Sequence, residues 1–269
     1  MDNALGSYAY GEFSDNENEL KRLIRQAEIA WSMEKNVLAM HGINDEMTVA
    51  DIACGPGIVS GFIQRDLTPN GQVIGVELND SLLEVSESIH VGTSHPPLFR
   101  KGDVYELGCL EDDSIDFAYS RFLFQHLNRS EKAIETISKK LRSGGRIAIL
   151  DTDDALFHCA PAIDGLDRFI ALANDQQQNK GGDRLIGRKL AGMLWAAGFT
   201  DIKTNLVNIS TDMIGGLDFL EMTTSFKLEL MPEEKKAWAA GVIEKAKTQV
   251  VKGDFFGQTA VYFVSAQKP

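Results

Sequence analysis

Three acidic residues, each at the end of an apolar run, could bind one small polar ligand. Asp51 ends the first run and is followed by Gly55 and Gly57, Glu77 ends the second run, and Asp103 follows the third. Glycines let a ligand approach the backbone, and the helix that begins after such a turn offers free N–H groups. A carboxylate about 20 residues beyond the turn can accept hydrogen bonds from both hydroxyls of a ribose.

The first acid distinguishes between two kinds of adenosine cofactor. In a dinucleotide enzyme the N–H groups at the start of the helix hold a pyrophosphate. Asp51 would repel that group, whereas it could pair with the ammonium of a methionine moiety. Asp103 could accept from an adenine amino group while Val104 packs on the ring. The residues therefore favour S-adenosylmethionine as the cofactor, with S-adenosylhomocysteine as its product.

Alternating strands and helices predict the framework that positions these acids. Strands are predicted at 48–54, 73–78, 98–102, 115–120, 146–150, 202–210 and 260–265. Helices are predicted at 58–66, 80–89, 163–174 and 185–197. A long helix is predicted to begin at the capping pattern at 14–17, and Asn128 is predicted to cap another helix. Continuous apolar strands separated by helices are typical of the α/β class, with a Rossmann-like, doubly wound parallel sheet. The loops that follow the strands then meet at one edge, where ligands bind.

An N-terminal lid and two later helical segments are predicted to cover that edge. Residues 1–45 would form the helical lid, and residues 46–269 would form the Rossmann-like cofactor-binding domain. Helical substrate-cap segments are expected near 153–184 and 211–232. The second segment is rich in Met, Phe and Leu, which could line an apolar acceptor pocket or simply pack into the core.

Composition disfavours several classes of partner. The formal net charge of -12 disfavours nucleic acid and anionic membranes, because an acidic surface repels phosphate groups. No apolar run approaches the roughly 20 residues that span a bilayer, and the N-terminus lacks the features of a signal peptide. The three scattered cysteines show no zinc spacing and indicate a reducing compartment. A cytoplasmic monomer or homodimer acting on a small-molecule acceptor is expected.

Residues 51–57 resemble the first motif of class I S-adenosylmethionine-dependent methyltransferases, with Ala53 where many members have glycine. Glu77 and residues 102–104 resemble the family's ribose and adenine segments, and residues 120–127 a segment of its small-molecule members. The resemblance implies about seven strands, mostly parallel, with the last antiparallel. It also implies that the cofactor is bound by residues at four strand ends. These residues are Asp51, Ala53, Cys54, Gly55, Gly57, Glu77, Leu78, Gly102, Asp103, Val104, Ser120 and Arg121.

Residues 182–188 and 196–199 are similar to segments of ubiquinone/menaquinone-type and secondary-metabolite methyltransferases. This resemblance implies a small organic metabolite as the acceptor, uncharged or cationic, methylated on O, N or C. An Asn-Pro-Pro-Tyr-like tetrapeptide, usual in methylases of nucleobase or protein amide groups, is absent after the fourth strand. Those acceptors are therefore disfavoured.

The chemistry itself requires few side chains. Methyl transfer from a sulfonium mainly requires alignment of the nucleophile, the methyl carbon and sulfur, and a base helps only if the acceptor loses a proton. His126 and Asp151 are the candidate bases, although either could be structural. Residues predicted to contact the acceptor are Tyr10, Phe124, Asp153 and Met222. No metal is expected, because no acid follows the fourth strand.

Two other functions stay open at this point. Gly55, Gly57 and Gly61 can be written as the nucleotide fingerprint of an NAD(P)-dependent oxidoreductase, but Asp51 fits poorly beside pyrophosphate and no Tyr-x-x-x-Lys motif occurs. A methyltransferase-like protein that binds the cofactor without methyl transfer, such as a cyclase, is excluded by no sequence feature.

Overall fold

A computed structural model describes residue 7 and residues 16–269. Eight strands of this described part form one sheet. The strands are β1 (Thr48–Ile52), β2 (Gln72–Glu77), β3 (Leu98–Lys101), β4 (Ile115–Arg121), β5 (Leu141–Thr152), β6 (His158–Ala160), β7 (Thr200–Ser210) and β8 (Phe256–Gln267). The helices are α1 (Asn16–Met40), α2 (Ile58–Asp66), α3 (Asp80–Ile89), α4 (Ser130–Lys140), α5 (Leu166–Asn179), α6 (Leu190–Ala196), α7 (Thr211–Ile214), α8 (Gly216–Glu229) and α9 (Glu233–Val251).

The strand order is β3-β2-β1-β4-β5-β8-β6, and β7 also pairs with β8. Strands β1 to β5 pair in parallel, whereas β8 is antiparallel to β5, β6 and β7. The predicted Rossmann-like fold with an antiparallel last strand is therefore confirmed. The eighth strand is the three-residue β6, which pairs with the beginning of β8 and is too short to be recognised as a strand from sequence.

Each face of the sheet buries a separate apolar layer, because successive side chains of a strand point to opposite faces. Phe117 and Tyr119 of β4 pack in the same cluster as Trp31 of α1. Ala118, between them, packs on the other face with Ile134 of α4. A third cluster joins α5, α8 and α9 beyond the sheet. The fold thus places α1 and α8 near the ends of the strands that carry the predicted acids.

Two predicted boundaries are wrong for reasons of tertiary contact. The helix predicted at 163–174 instead spans Leu166–Asn179, because Gln177 is fully buried and its amide donates to the Gln125 carbonyl oxygen. Asn128 was expected to cap α4. Its side chain instead accepts a hydrogen bond from the Tyr105 hydroxyl, and α4 begins at Ser130.

Bilayer-spanning segments were searched for in residue 7 and residues 16–269. None of the helices there combines the length and the apolarity that a span requires.

Candidate cofactor and acceptor site

The turn after β1 has a backbone shape that favours glycine. Ala53, Gly55 and Gly57 have φ angles of 59°, 57° and 73°, all in the left-handed region. A Cβ atom at Gly57 would lie 2.7 Å from both the Phe99 ring and the Ser86 side chain. The turn therefore requires glycine at this position, and it leads directly into α2.

Glu77 ties this turn to the end of β2. Its Oε2 accepts a hydrogen bond from the Gly55 N–H at 2.9 Å, and its Oε1 accepts from the Leu78 and Asn79 N–H groups at 2.9 Å. Burial raises the pKa of Glu77, and these three backbone donors oppose that rise. A carboxylate oxygen has two acceptor positions, so Oε2 retains one for a ligand hydroxyl.

Asp51 is the second buried carboxylate beside the turn. It is 2% exposed, and its Oδ2 accepts from the Ser60 hydroxyl at 2.6 Å. Burial raises its pKa to about 6, although Ser60 and the positive charge of Arg121 oppose the rise. At neutral pH the group is thus a desolvated anion, which a bound cation would stabilise.

Arg121, at the end of β4, connects the sheet with α1. Its Nε donates to the Glu34 carboxylate at 2.9 Å, and Glu34 also accepts from the Tyr119 hydroxyl at 3.3 Å. The Arg121 guanidinium lies 4.7 Å from the centre of the Phe122 ring. This buried ion pair holds α1 over the carboxyl ends of the strands.

One cavity of about 280 Å³ joins these groups to an apolar region. Asp51, Gly55 and Glu77 line its polar end. Helices α1 and α8 contribute polar and apolar side chains to its wall. They are Arg22, Leu23, Gln26 and Ala27 from α1, and Met222, Thr223, Phe226 and Lys227 from α8. A cavity that is lined both by apolar side chains and by a small number of polar groups suits a small organic ligand.

A buried ionic cluster that sequence reasoning missed lies on the same cavity. Asp154 accepts from Arg184 Nε at 2.5 Å, and Lys227 Nζ lies 3.2 Å from its other oxygen. Burial alone would raise the pKa of Asp154, but Arg184 and Lys227 outweigh it and lower the pKa to about 2. Burial, followed by repulsion from Arg184, lowers the pKa of Lys227 to about 8.

His126 lines the cavity, but its hydrogen bonds argue against the predicted role as a base. Its Nδ1 lies 2.9 Å from the Ser7 hydroxyl and 3.3 Å from the Gln177 amide nitrogen. The Gln177 amide oxygen accepts from Arg184, so its nitrogen is the donor to Nδ1. Burial, with the charges of Arg184 and Arg22, lowers the pKa of His126 to about 3. The ring is a neutral hydrogen-bonding group at physiological pH.

The predicted site residues that the structure describes fall into two groups, those on the cavity wall and those away from it. Those on its wall are Asp51, Ala53, Cys54, Gly55, Glu77, Leu78, Arg121, His126 and Met222. Those away from its wall are Gly57, Gly102, Asp103, Val104, Phe124, Ser120, Asp151 and Asp153. Tyr10 lies outside the described residues.

Three of the predicted catalytic and acceptor residues have structural partners instead. Asp151 is fully buried and accepts from the Thr152 N–H at 2.8 Å, and burial raises its pKa to about 7. Asp153 is also fully buried and pairs with Arg188 at 2.5 Å. Phe124 packs in the core beneath the sheet edge. The predictions that these side chains contact the acceptor or the reacting atoms are not supported.

The predicted adenine segment likewise makes internal contacts. Asp103 Oδ1 accepts from the Tyr105 N–H at 2.8 Å, and Val104 packs in the core. A Cβ atom at Gly102 would lie 2.7 Å from the Cys109 sulfur. Among the described residues, no three His, Cys, Asp or Glu side chains converge as metal ligands.

A parallel Rossmann-like sheet with an antiparallel strand beside β5, and a glycine turn bonded to an acid on β2, defines the class I methyltransferase architecture. Residues 50–149 match the model of the methyltransferase domain family. Residues 50–149 therefore carry a methyltransferase domain with the class I fold, the architecture that uses S-adenosylmethionine.

Similar proteins come from several organisms. An uncharacterized 37.1 kDa protein in transposon TN4556 of Streptomyces fradiae is 28% identical over 81% of this chain and 61% of its own length. The demethylmenaquinone methyltransferase of Staphylococcus aureus is 25% identical over 44% of this chain and 48% of its own length. The chain thus spans about half to three fifths of these relatives.

A similar solved structure is phosphoethanolamine N-methyltransferase 2 of Haemonchus contortus, in complex with phosphomonomethylethanolamine and S-adenosylhomocysteine. It has a TM-score of 0.57 and 20% identity, and the match covers 89% of this chain and 53% of that one. At this identity the likeness concerns the fold.

Proposed function

We propose that this chain transfers a methyl group from S-adenosylmethionine to a small organic acceptor. One observation carries the proposal: Asp51, the Gly55 turn and Glu77 meet at one end of a cavity that apolar side chains of α1 and α8 also line. A pyrophosphate would face two buried carboxylates there, whereas a cofactor with an ammonium and ribose hydroxyls would satisfy them. The same contrast disfavours a nicotinamide-dependent oxidoreductase.

Each residue at the polar end has a separate proposed task. Asp51 would pair with the ammonium of the methionine moiety, and Glu77 Oε2 would accept from a ribose hydroxyl. Ala53, Cys54 and Leu78 would form the adjoining wall. When bound, the cofactor supplies an electrophilic methyl group on a sulfonium. The chain's own contribution is to hold the acceptor atom in line with that group.

The acceptor would occupy the apolar end. Met222 and Phe226 of α8 and Leu23 of α1 line the same cavity. We propose that residues 1–45 act as a lid and that the segments near 153–184 and 211–232 shape the acceptor pocket. His126 would line this end as a neutral imidazole.

The proposal includes the setting of the enzyme. All three thiols, those of Cys54, Cys109 and Cys159, are free, which fits a reducing compartment. We propose a cytoplasmic enzyme that works as a monomer or homodimer. Size-exclusion chromatography with light scattering distinguishes these two states from larger assemblies.

The experiment that tests the function is release of S-adenosylhomocysteine during incubation with S-adenosylmethionine and a library of small metabolites. The function predicts acceptor-dependent release that Asp51→Asn and Glu77→Gln reduce at least tenfold. The matched control is Asp175→Asn, an exposed carboxylate on α5. Tight cofactor binding without release from any acceptor would favour the non-methylating alternative.

A further inference from the structure

Most cations on the described wall of the cavity are paired with a carboxylate. Three arginines there each pair with a carboxylate. The pairs are Arg22 with Glu19 at 2.7 Å, Arg121 with Glu34 at 2.9 Å, and Arg184 with Asp154 at 2.5 Å. Two further carboxylates, Asp51 and Glu77, lie at the proposed cofactor end. Lys227 is the lining cation that remains.

Lys227 has no carboxylate of its own within the described residues. Its Nζ donates to the Thr223 carbonyl oxygen at 2.8 Å and lies 3.2 Å from Asp154. Asp154 is already engaged by Arg184, so the cluster has two cations, one anion and a net charge of +1. The lysine is only 5% exposed, and a buried charge destabilises the fold unless a counterion or ligand compensates it.

The neighbouring charges do not supply that counterion. The carboxylate of Asp151 accepts from the Thr152 and Gln125 N–H groups and is held by the backbone. His126 is neutral, as its depressed pKa requires. An ammonium carries three N–H donors, and the recorded partners of Lys227 use two of them. The third donor is available for a ligand in the cavity.

Apolar side chains line another part of the same wall. Met222 and Phe226 precede Lys227 on α8, and Phe157 and Ile209 line the same cavity. We propose, on the basis of the proposed function, that the acceptor is an amphipathic carboxylate. Its apolar body would lie against Met222 and Phe226, and its carboxylate would accept from Lys227. This replaces the sequence-based expectation of an uncharged or cationic acceptor.

A carboxylate fits this position better than a more highly charged group. The excess charge of the cluster is one, and a single ammonium is a point charge without the fork that binds a phosphate bidentately. The fork of Arg184 is occupied, because it donates to Asp154, Gln125 and Gln177.

The test uses the full chain saturated with S-adenosylhomocysteine, whose binding is measured first. Three probes with the same carbon chain, hexanoate, hexan-1-ol and hexylammonium, are then titrated by calorimetry. We expect hexanoate to bind about tenfold or more tightly than the other two, because the hydroxyl of hexan-1-ol lacks the charge that pairs with Lys227 and hexylammonium is repelled by it. Lys227→Met should abolish this preference, and Lys227→Arg should retain it.

The matched control is Lys252→Met, an exposed lysine at the end of α9. It should leave the preference for hexanoate unchanged. Retained binding of S-adenosylhomocysteine checks that each variant is folded, and Lys227→Gln serves if Lys227→Met fails this check.

Two failures are distinguishable. No binding of S-adenosylhomocysteine to the unmodified chain would overturn the proposed function and this inference with it. Binding of that compound, with equal or undetectable binding of the three probes, would overturn the carboxylate acceptor alone. So would a preference for hexanoate that survives Lys227→Met.

Discussion

Replacing Asp51 with asparagine should weaken cofactor binding and stabilise the free protein at the same time. Burial raises the pKa of this carboxyl to about 6 from its ordinary value of 3.8. The folded state therefore binds a proton more tightly than the unfolded state, and stability falls as pH rises from about 4 to 6. At pH 8 the ionised group destabilises the fold by about 3 kcal/mol, since one pKa unit is about 1.4 kcal/mol.

Asparagine removes this charge and keeps the side-chain shape. We expect Asp51→Asn to increase the free energy of unfolding in urea at pH 8 by up to about 3 kcal/mol, less whatever the hydrogen bond from Ser60 loses. At pH 5 this gain should fall to about half, because the folded carboxyl is then protonated while the unfolded one is still ionised; it should vanish only below about pH 4. Asp175→Asn, on an exposed site, should change neither value.

Cofactor affinity should move in the opposite direction. Loss of a charge-assisted hydrogen bond of about 1.5–3 kcal/mol weakens S-adenosylmethionine binding by roughly 10- to 150-fold. In the unmodified chain the affinity should also fall by up to about tenfold per pH unit below pH 6, and Asp51→Asn should remove this slope. A variant that is less stable at pH 8, or an unmodified affinity that is constant from pH 5 to 8, would refute the reasoning.

Three further predictions follow from the site. Glu34→Gln leaves the Arg121 charge without its partner, so the free energy of unfolding in urea should fall by about 3 kcal/mol. The double variant Glu34→Gln, Arg121→Met should recover part of this loss, and equal losses in the single and double variants would contradict the pairing. Gly57→Ala forces a Cβ atom against Phe99 at a φ of 73°, so the stability loss should exceed about 1 kcal/mol, and a neutral effect in the same assay would contradict the required turn. His126→Gln should leave the shape of the pH–rate profile from pH 5 to 7 unchanged, because the pKa of His126 is about 3; loss of an ionisation near pH 6.5 in the variant would restore the base hypothesis.

Local patterns predicted the polar end of the cavity well. The turn at 51–57 and Glu77 lie next to the ends of apolar strands, and in a parallel sheet neighbouring strand ends come together automatically. Their proximity could therefore be inferred from spacing, whereas their roles in binding the cofactor stay predictions. The orientation of the Asp103 side chain could not be inferred from spacing, because this carboxylate accepts a hydrogen bond from the Tyr105 N–H group.

The acceptor end could not be predicted in the same way. Asp154, Arg184 and Lys227 come from three distant segments and meet only because α5 and α8 pack at the end of the sheet. One weak signal existed: Thr223 and Lys227 are four residues apart, on one face of the helix that carries Met222. A lysine on an apolar helical face usually keeps its ammonium in solvent. The burial of Lys227 depends on tertiary packing and therefore cannot be inferred from the sequence.

The most direct test of the central claim is a calorimetric titration of the unmodified chain and of Glu77→Gln with S-adenosylmethionine, and separately with NADH. The account predicts one S-adenosylmethionine site per chain, with affinity that Glu77→Gln weakens at least tenfold, and no heat from NADH. The exposed variant Glu87→Gln on α3 should bind like the unmodified chain. Binding of NADH without binding of S-adenosylmethionine would contradict the account.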